Sequence, residues 1–227
     1  MPFARRNGRI VKSKISKKNR LIINKFDMVK IQNNVLGAVG EHQTLSRLLL
    51  LGYQAAITNL SVENTAGTDI FCCDNKGHYS AIQVKTTLGD CFNTGISHKE
   101  FYDANGKLDL VKGRKFIESK VVGPWVMVQV CCADVPTFKF FVLSRAQIIE
   151  MIYENEVWYL TGYNRNKPLK GSGIIYIHVA WLYGHGVPAN KNHIEWVNPF
   201  PSVNFEEAWH YLCLLYTSPS PRDRSLS

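Results

Sequence analysis

Nowhere in this 227-residue chain does an apolar run approach the roughly 20 residues that a membrane-crossing helix needs. An apolar leader is missing too, since charge begins at Arg5, and the expected setting is a reducing cytoplasm with no membrane partner. No two cysteines stand in C-x-x-C spacing, so a zinc ribbon has no ligands. Cys72-Cys73 and Cys131-Cys132 are adjacent pairs in strand-like runs and Cys91 stands alone. Neighbours on a strand point to opposite faces, which makes each pair a poor disulfide, and these residues are expected to be buried free thiols. His178, His185 and His193 share no metal spacing and read as turn or surface residues. "GSG" at 171–173 is too short for a phosphate loop and precedes a strand, the wrong context. Five scattered tryptophans read as core or edge aromatics, and no internal repeat is found.

Acid is also scarce at the start. The first 30 residues hold ten of the 27 Lys/Arg and only one of the 18 acids, Asp27, which leaves 17 of each in the remainder. The net charge of +9 is therefore that of an arm, residues 1–30, attached to a neutral body. Such an arm can hold phosphates by counterion release. The alternatives are a solvated tail, or upstream sequence read from the wrong start with Met28 as the true beginning. At the other end, Cys213 to Asp223 match, residue for residue, one reading frame of a transposase-based sequencing-library adapter. The native sequence is expected to stop near Leu212, leaving 31–212 as one domain and 213–227 outside it.

With 45% hydrophobic residues, the body is large enough for a sizeable core. "IQNNVLGAVGEHQTLSRLLLLG", residues 31–52, reads as a helix capped by Asn33 or Asn34 and stopped by Gly52. Ala38, Leu45, Leu48 and Leu49 form its expected apolar stripe. Glu41 lies within about 60° of three of them, so an acid points inward. Tyr53–Ile57, Thr68–Cys73 and His78–Thr87 read as strands. The last two are joined by a hairpin with Gly77 at its left-handed position. A three-residue loop makes pair numbers sum to 152, which sets Asp69 opposite Gln83 with Lys85 two residues on along the same face. Residues 88–124 give no clear pattern. Lys112, Arg114, Lys115 and Lys120 within them are candidate phosphate contacts, and the alternative is an ordinary solvated face. Trp125–Cys132 and Lys139–Leu143 read as strands, Ser144 with Gln147 as a capping box for a helix over Arg145–Glu154, and Ile174–Ala180 as a strand. Asn204 with Glu206 and Glu207 is expected to open a final helix. Helices and strands interleaved in this order make a single mixed α/β domain, a central sheet flanked by helices.

An inward acid on a helix, an isolated aspartate on a strand and a Gln-x-Lys triplet on the next cost free energy unless they are paired, bind a metal or do chemistry. Gly40-Glu41, Gly67-Thr68-Asp69-Ile70 and Gln83-Val84-Lys85, in this order on these elements, resemble the PD-(D/E)XK nuclease superfamily over residues 36–87. One departure is Gln83 in the acid position, similar to the Q-x-K branch. The resemblance implies a restriction-endonuclease-like fold and a DNA endonuclease that uses Mg²⁺ or Mn²⁺ and often works as a homodimer.

The chemistry is intelligible on its own terms. Phosphodiester hydrolysis needs an activated water and neutralisation of charge on the leaving oxygen, and a hard cation held by oxygen ligands supplies both. Asp69 is the expected main ligand, Gln83 a neutral one, and the Val84 carbonyl a third as the resemblance implies. Lys85 is expected to orient or deprotonate the water. Glu41 is expected to ligate through water or to restore the charge lost at Gln83. Three alternatives stay open: an inactive DNA-binding or assembly module on the same fold, a structure-specific nuclease for branched or RNA-containing substrates, and a structural Asp69–Lys85 ion pair with Gln83 hydrogen-bonded beside it.

Overall fold

The computed structural model describes residues 32–58, 67–131, 135–162, 173–189 and 194–215. The chain divides into Met1–Gln32 and Asn33–Ser227, and the described elements belong to the second unit. The basic arm, Cys132, His193 and residues 216–227 lie outside the described residues.

The elements in chain order are α1 (Asn33–Leu50), β1 (Gln54–Ile57), β2 (Ile70–Cys73), β3 (Tyr79–Thr87), β4 (Cys91–Ser97), α2 (Leu110–Lys120), β5 (Trp125–Cys131), β6 (Thr137–Leu143), α3 (Arg145–Val157), β7 (Ile174–His178) and the short α4 (Val179–Leu182). Five strands form a mixed sheet in the order β1-β2-β3-β5-β6, antiparallel except for the parallel β3–β5 pair. β4 and β7 make a separate antiparallel pair. The expected mixed α/β architecture, with a central sheet flanked by helices, is what the chain forms.

Each face of the large sheet carries its own core. On one face Leu48 of α1 packs with Ile70, Ile82, Val84, Val126, Val142, Trp209 and Leu212. On the other, Trp125, Met127, Phe141 and Leu143 meet Ile117 of α2, Ile148 and Ile152 of α3, and Ile177 of β7. Even-numbered residues of β3 supply the first core, because strand side chains alternate between faces. Each fully buried aliphatic side chain contributes about 1.5–3 kcal/mol.

The hairpin has the expected register from Cys73, which pairs with Tyr79, to Ile70, which pairs with Ile82. The ladder stops there, so Asp69 does not pair with Gln83 as expected; its N–H turns to the Ile82 carbonyl and Gln83 pairs with Trp125. Asp74 closes the hairpin, its backbone N–H donating to the His78 carbonyl while its carboxylate accepts the N–H groups of Lys76 and His78. Gly77 takes φ +84°, as a left-handed loop position requires. Ser144 and Gln147 form both halves of the capping box at α3. Cys72, Cys73, Cys91 and Cys131 are free thiols.

Three expectations are corrected. The buried stripe of α1 is Gly40, Thr44 and Leu48, while Ala38 is exposed and Leu49 is 52% exposed. At Gly40 and Thr44 the helix lies so close to the sheet that small residues fill the contact, and Leu48 is the large apolar residue buried beyond them. No helix opens at Asn204. Glu206 bridges Phe141, Glu207 takes φ 55°, and a 3₁₀ segment begins only at Trp209. Residues 88–124, without pattern in the sequence, hold β4, a 3₁₀ turn at His98–Phe101 and α2, whose N-cap is Asp109. Trp125, Trp181, Trp196 and Trp209 are core residues as read, and Trp158 is half-buried.

Candidate active site

β3 changes partner halfway along. Its first residues pair with β2, whereas Gln83–Thr87 pair in parallel with Trp125–Gln129 of β5 on the opposite edge. β2 begins at Ile70, so past Ile82 the β2-side edge of β3 has no strand against it among the described residues. Asp69 sits at this step. Its backbone N–H donates to the Ile82 carbonyl at 2.9 Å and its carbonyl accepts the Thr58 N–H at 2.9 Å. Its carboxylate accepts the Val84 N–H at 2.7 Å, taking the place that a further β2 residue would have filled. In an extended strand the N–H and C=O of one residue point to the same side, so the Val84 carbonyl leaves β3 on the Asp69 side.

Gln83 and Lys85 project from the face that carries Trp125. Both line a cleft of about 320 Å³ together with Gly67, Lys120, Trp125 and residues 94–96 of β4. Lys85 Nζ lies 5.4 Å from the centre of the Trp125 ring, a cation–π distance. Burial holds the Lys85 ammonium below its ordinary pKa, and the negative charge of Asp69 partly offsets this. Gln83 Oε1 is buried without a hydrogen-bond partner, and so is the indole Nε1 of its register partner Trp125. A buried polar atom left in this way costs about 1–3 kcal/mol, which a ligand can recover.

Glu41 reaches the site from the other face of the sheet. Gly40 lies against Thr86, so close that a Cβ there would fall 1.8 Å from the Thr86 Oγ1. That approach brings Glu41 to a half-buried position. Its carboxyl is held above the ordinary range by burial first and by the charge of Asp69 second, with His42 acting in the opposite direction. Asp69 is thus the centre of the arrangement. Glu41 feels it from one face and Lys85 from the other, around the open edge of β3. Among the described residues no three His, Cys, Asp or Glu side chains gather as a metal cluster. The oxygen donors on hand are two carboxylates, one amide and the Val84 carbonyl.

The basic residues of α2 separate. Lys120 lines the cleft. Lys112 Nζ donates to the Tyr102 carbonyl, Arg114 bridges Glu118 and Glu150, and Lys115 is exposed. Trp125 and the 94–96 stretch of β4 were not singled out from sequence. Trp125 enters through the parallel pairing of β3 with β5 and residues 94–96 through β4, and no local pattern announces either.

No protein-family model and no curated protein matches this chain. Among solved structures, a bacterial homing endonuclease, I-Ssp6803I, aligns with 79% of this chain and 89% of its own at 14% identity and a TM-score of 0.36. A Holliday junction resolvase from the archaeal hyperthermophile Archaeoglobus fulgidus, Hjc, aligns with 63% of this chain and 89% of its own at 14% identity and a TM-score of 0.29.

Proposed function

We propose that this chain is a divalent-metal-dependent endonuclease that hydrolyses phosphodiester bonds in DNA. The observation that carries the reading is the Asp69 carboxylate on the Val84 N–H, beside a lysine kept partly desolvated on the same strand. A structural ion pair alone leaves the orphaned Gln83 oxygen without a purpose.

The donor set fits Mg²⁺ or Mn²⁺, which prefer carboxylate and carbonyl oxygen. Asp69, Gln83 and the Val84 carbonyl would hold the ion, with Glu41 completing the charge. When bound, it supplies Lewis-acid neutralisation of charge on the phosphoryl oxygens. Lys85 orients the attacking water and, in its neutral form, takes the water's proton as the new P–O bond forms; the ammonium so produced faces a phosphoryl oxygen. The old P–O bond breaks, and the leaving oxygen takes a proton from solvent. Lys120 stands at the cleft to hold a neighbouring phosphate, with Lys112 and Lys115 further along α2; Arg114 is engaged by two carboxylates and contributes least. The basic arm of residues 1–30 would add phosphate contacts of its own by counterion release. DNA is the partner, and a homodimer would cut both strands.

The test is plasmid cleavage by the full chain with Mg²⁺ or Mn²⁺, beside Asp69→Ala and Lys85→Ala. Metal-dependent nicking lost in both variants supports the reading. DNA binding without cleavage under either metal overturns it in favour of a non-catalytic module. That second reading has one specific observation behind it: the amide at Gln83 can neither carry charge nor act as a base.

A further inference from the structure

A second cavity, of about 640 Å³, opens where β4, β7 and the end of α3 meet, and the site around Asp69 makes no use of it. Trp158, Tyr159, Tyr176 and Trp181 line it, and two imidazoles, His98 and His178, stand among them. The Tyr159 ring stacks on His98 at 4.9 Å between centres and 15° between planes. Trp181 meets His178 edge-on at 4.6 Å. His98 Nδ1 lies 2.5 Å from the carboxylate of Glu156, whose side chain is wholly buried. A carboxylate on Nδ1 fixes the orientation of the ring and leaves Nε2 for a ligand. Partial burial holds His178 below the ordinary imidazole pKa, with Asp90 opposing.

These walls define the guest. Flat rings favour a flat ligand that stacks. Among the described residues no lysine or arginine lines the cavity, and Glu156 does, which favours an uncharged ring there. Two imidazole edges and the Asn155 amide offer hydrogen bonds to ring nitrogens and amino groups. The volume is within the range of about 300–1,000 Å³ usual for small-ligand sites.

We propose that this cavity takes one planar nitrogen heteroaromatic ring, a nucleobase, with its sugar and phosphate left outside. The choice among planar heterocycles rests on the endonuclease reading above. Ile96 lines the Gln83–Lys85 cleft and His98 lines this cavity, two residues apart and about 7 Å along the chain. A nucleic-acid strand with a phosphate in the cleft brings an unstacked base within reach of the aromatic walls, as in enzymes that extrude a base from the helix.

Free nucleosides test the cavity without any cleavage. The full-length protein is titrated with the four deoxynucleosides by calorimetry and by tryptophan fluorescence. Saturable binding is expected, weakened about tenfold by Tyr159→Ala and retained by Tyr159→Phe, since the lost contact is a ring stack. Ala180 lines the cavity from an exposed position, so Ala180→Trp fills the space without entering the core and is expected to abolish binding. A DNA strand carrying 2-aminopurine separates the two sources of the ring. A fluorescence change lost in Ala180→Trp assigns the cavity to a base within a strand, and none alongside nucleoside binding assigns it to a free nucleoside. No response to any nucleoside, binding indifferent to Ala180→Trp, or tighter binding of tetramethylammonium than of nucleosides overturns the proposal. Lys85→Ala separates the two readings. Cleavage lost with nucleoside binding intact supports both, and cleavage present in a protein that binds no nucleoside sinks this inference alone.

Discussion

Gly40 of α1 and Thr86 of β3 touch so closely that a methyl group at position 40 would overlap the threonine hydroxyl at 1.8 Å. This contact sets how near the first helix comes to the sheet, and so where Glu41 stands relative to Asp69. Gly40→Ala is expected to push α1 outward and cost about 1–3 kcal/mol by overpacking. The Thr86 hydroxyl is itself buried without a partner, so Thr86→Ala removes the worst overlap at little cost and leaves only the position-86 Cβ, at 3.0 Å, to be eased. Urea unfolding of the two single variants and the double should show the double recovering most of the loss. Strict additivity would mean that the contact is not what limits α1.

Glu41 is a carboxyl kept above its ordinary pKa of 4.5 by burial and by Asp69. A raised folded-state value means that the folded chain holds its proton longer than the unfolded chain. The favourable contribution is complete below pH 4.5 and is lost as pH rises through the higher folded value. At pH 7, without metal, the ionised carboxyl is therefore a burden. Glu41→Gln should melt a few degrees above the parent at pH 7, with the difference gone at pH 4. A parent that is the more stable of the two at pH 7 would place Glu41 beside a compensating cation instead.

In the proposed site Gln83 offers an amide oxygen where a carboxylate would hold a cation more tightly. Gln83→Glu adds a third carboxylate and should tighten Mg²⁺ or Mn²⁺ binding by about tenfold, read from the metal concentration needed to raise the melting temperature. Asp69→Ala should abolish the metal-induced shift. An equal shift in the parent and in Gln83→Glu would remove residue 83 from the ligand set.

Asp74 secures the register on which the site depends. Its half-buried carboxylate is pulled down to about 2 from 3.8 by hydrogen bonds to His78, with Lys76 adding to them. A depressed folded value gives stability that is present above pH 3.8 and lost as pH falls through about 2. Asp74→Ala should lower the melting temperature at neutral pH, and the gap should close at pH 2. A gap unchanged at pH 2 would assign the effect to turn geometry and not to charge.

Much of the hairpin was legible from residue order alone. Gly77 demands a left-handed position, and the alternation of β2 and β3 then leaves one register that buries Ile70, Cys72 and Ile82 together. The caps at Ser144 were equally plain, because a capping box is a contact between residues three apart. The stripe of α1 was misread because Leu49 is as apolar as Leu48, and only the packing partner decides which one faces inward. The final helix failed for a similar reason, since the pairing of Glu206 with Phe141 outweighs a local capping signal.

The sequence by itself determined the spacing of Glu41, Asp69, Gln83 and Lys85 and the shared face of Gln83 and Lys85 on β3, because the strand period is a local property of the backbone. Only the tertiary structure decided that β3 exchanges β2 for β5 at Gln83, that Trp125 and Lys120 share the cleft, and that Asp69 occupies the vacated edge at Val84. Those relations join residues from 15 positions apart, Asp69 and Val84, to 42 positions apart, Gln83 and Trp125. Which edges meet there is settled by burying both faces of the sheet at once, and no stretch of sequence carries that information alone.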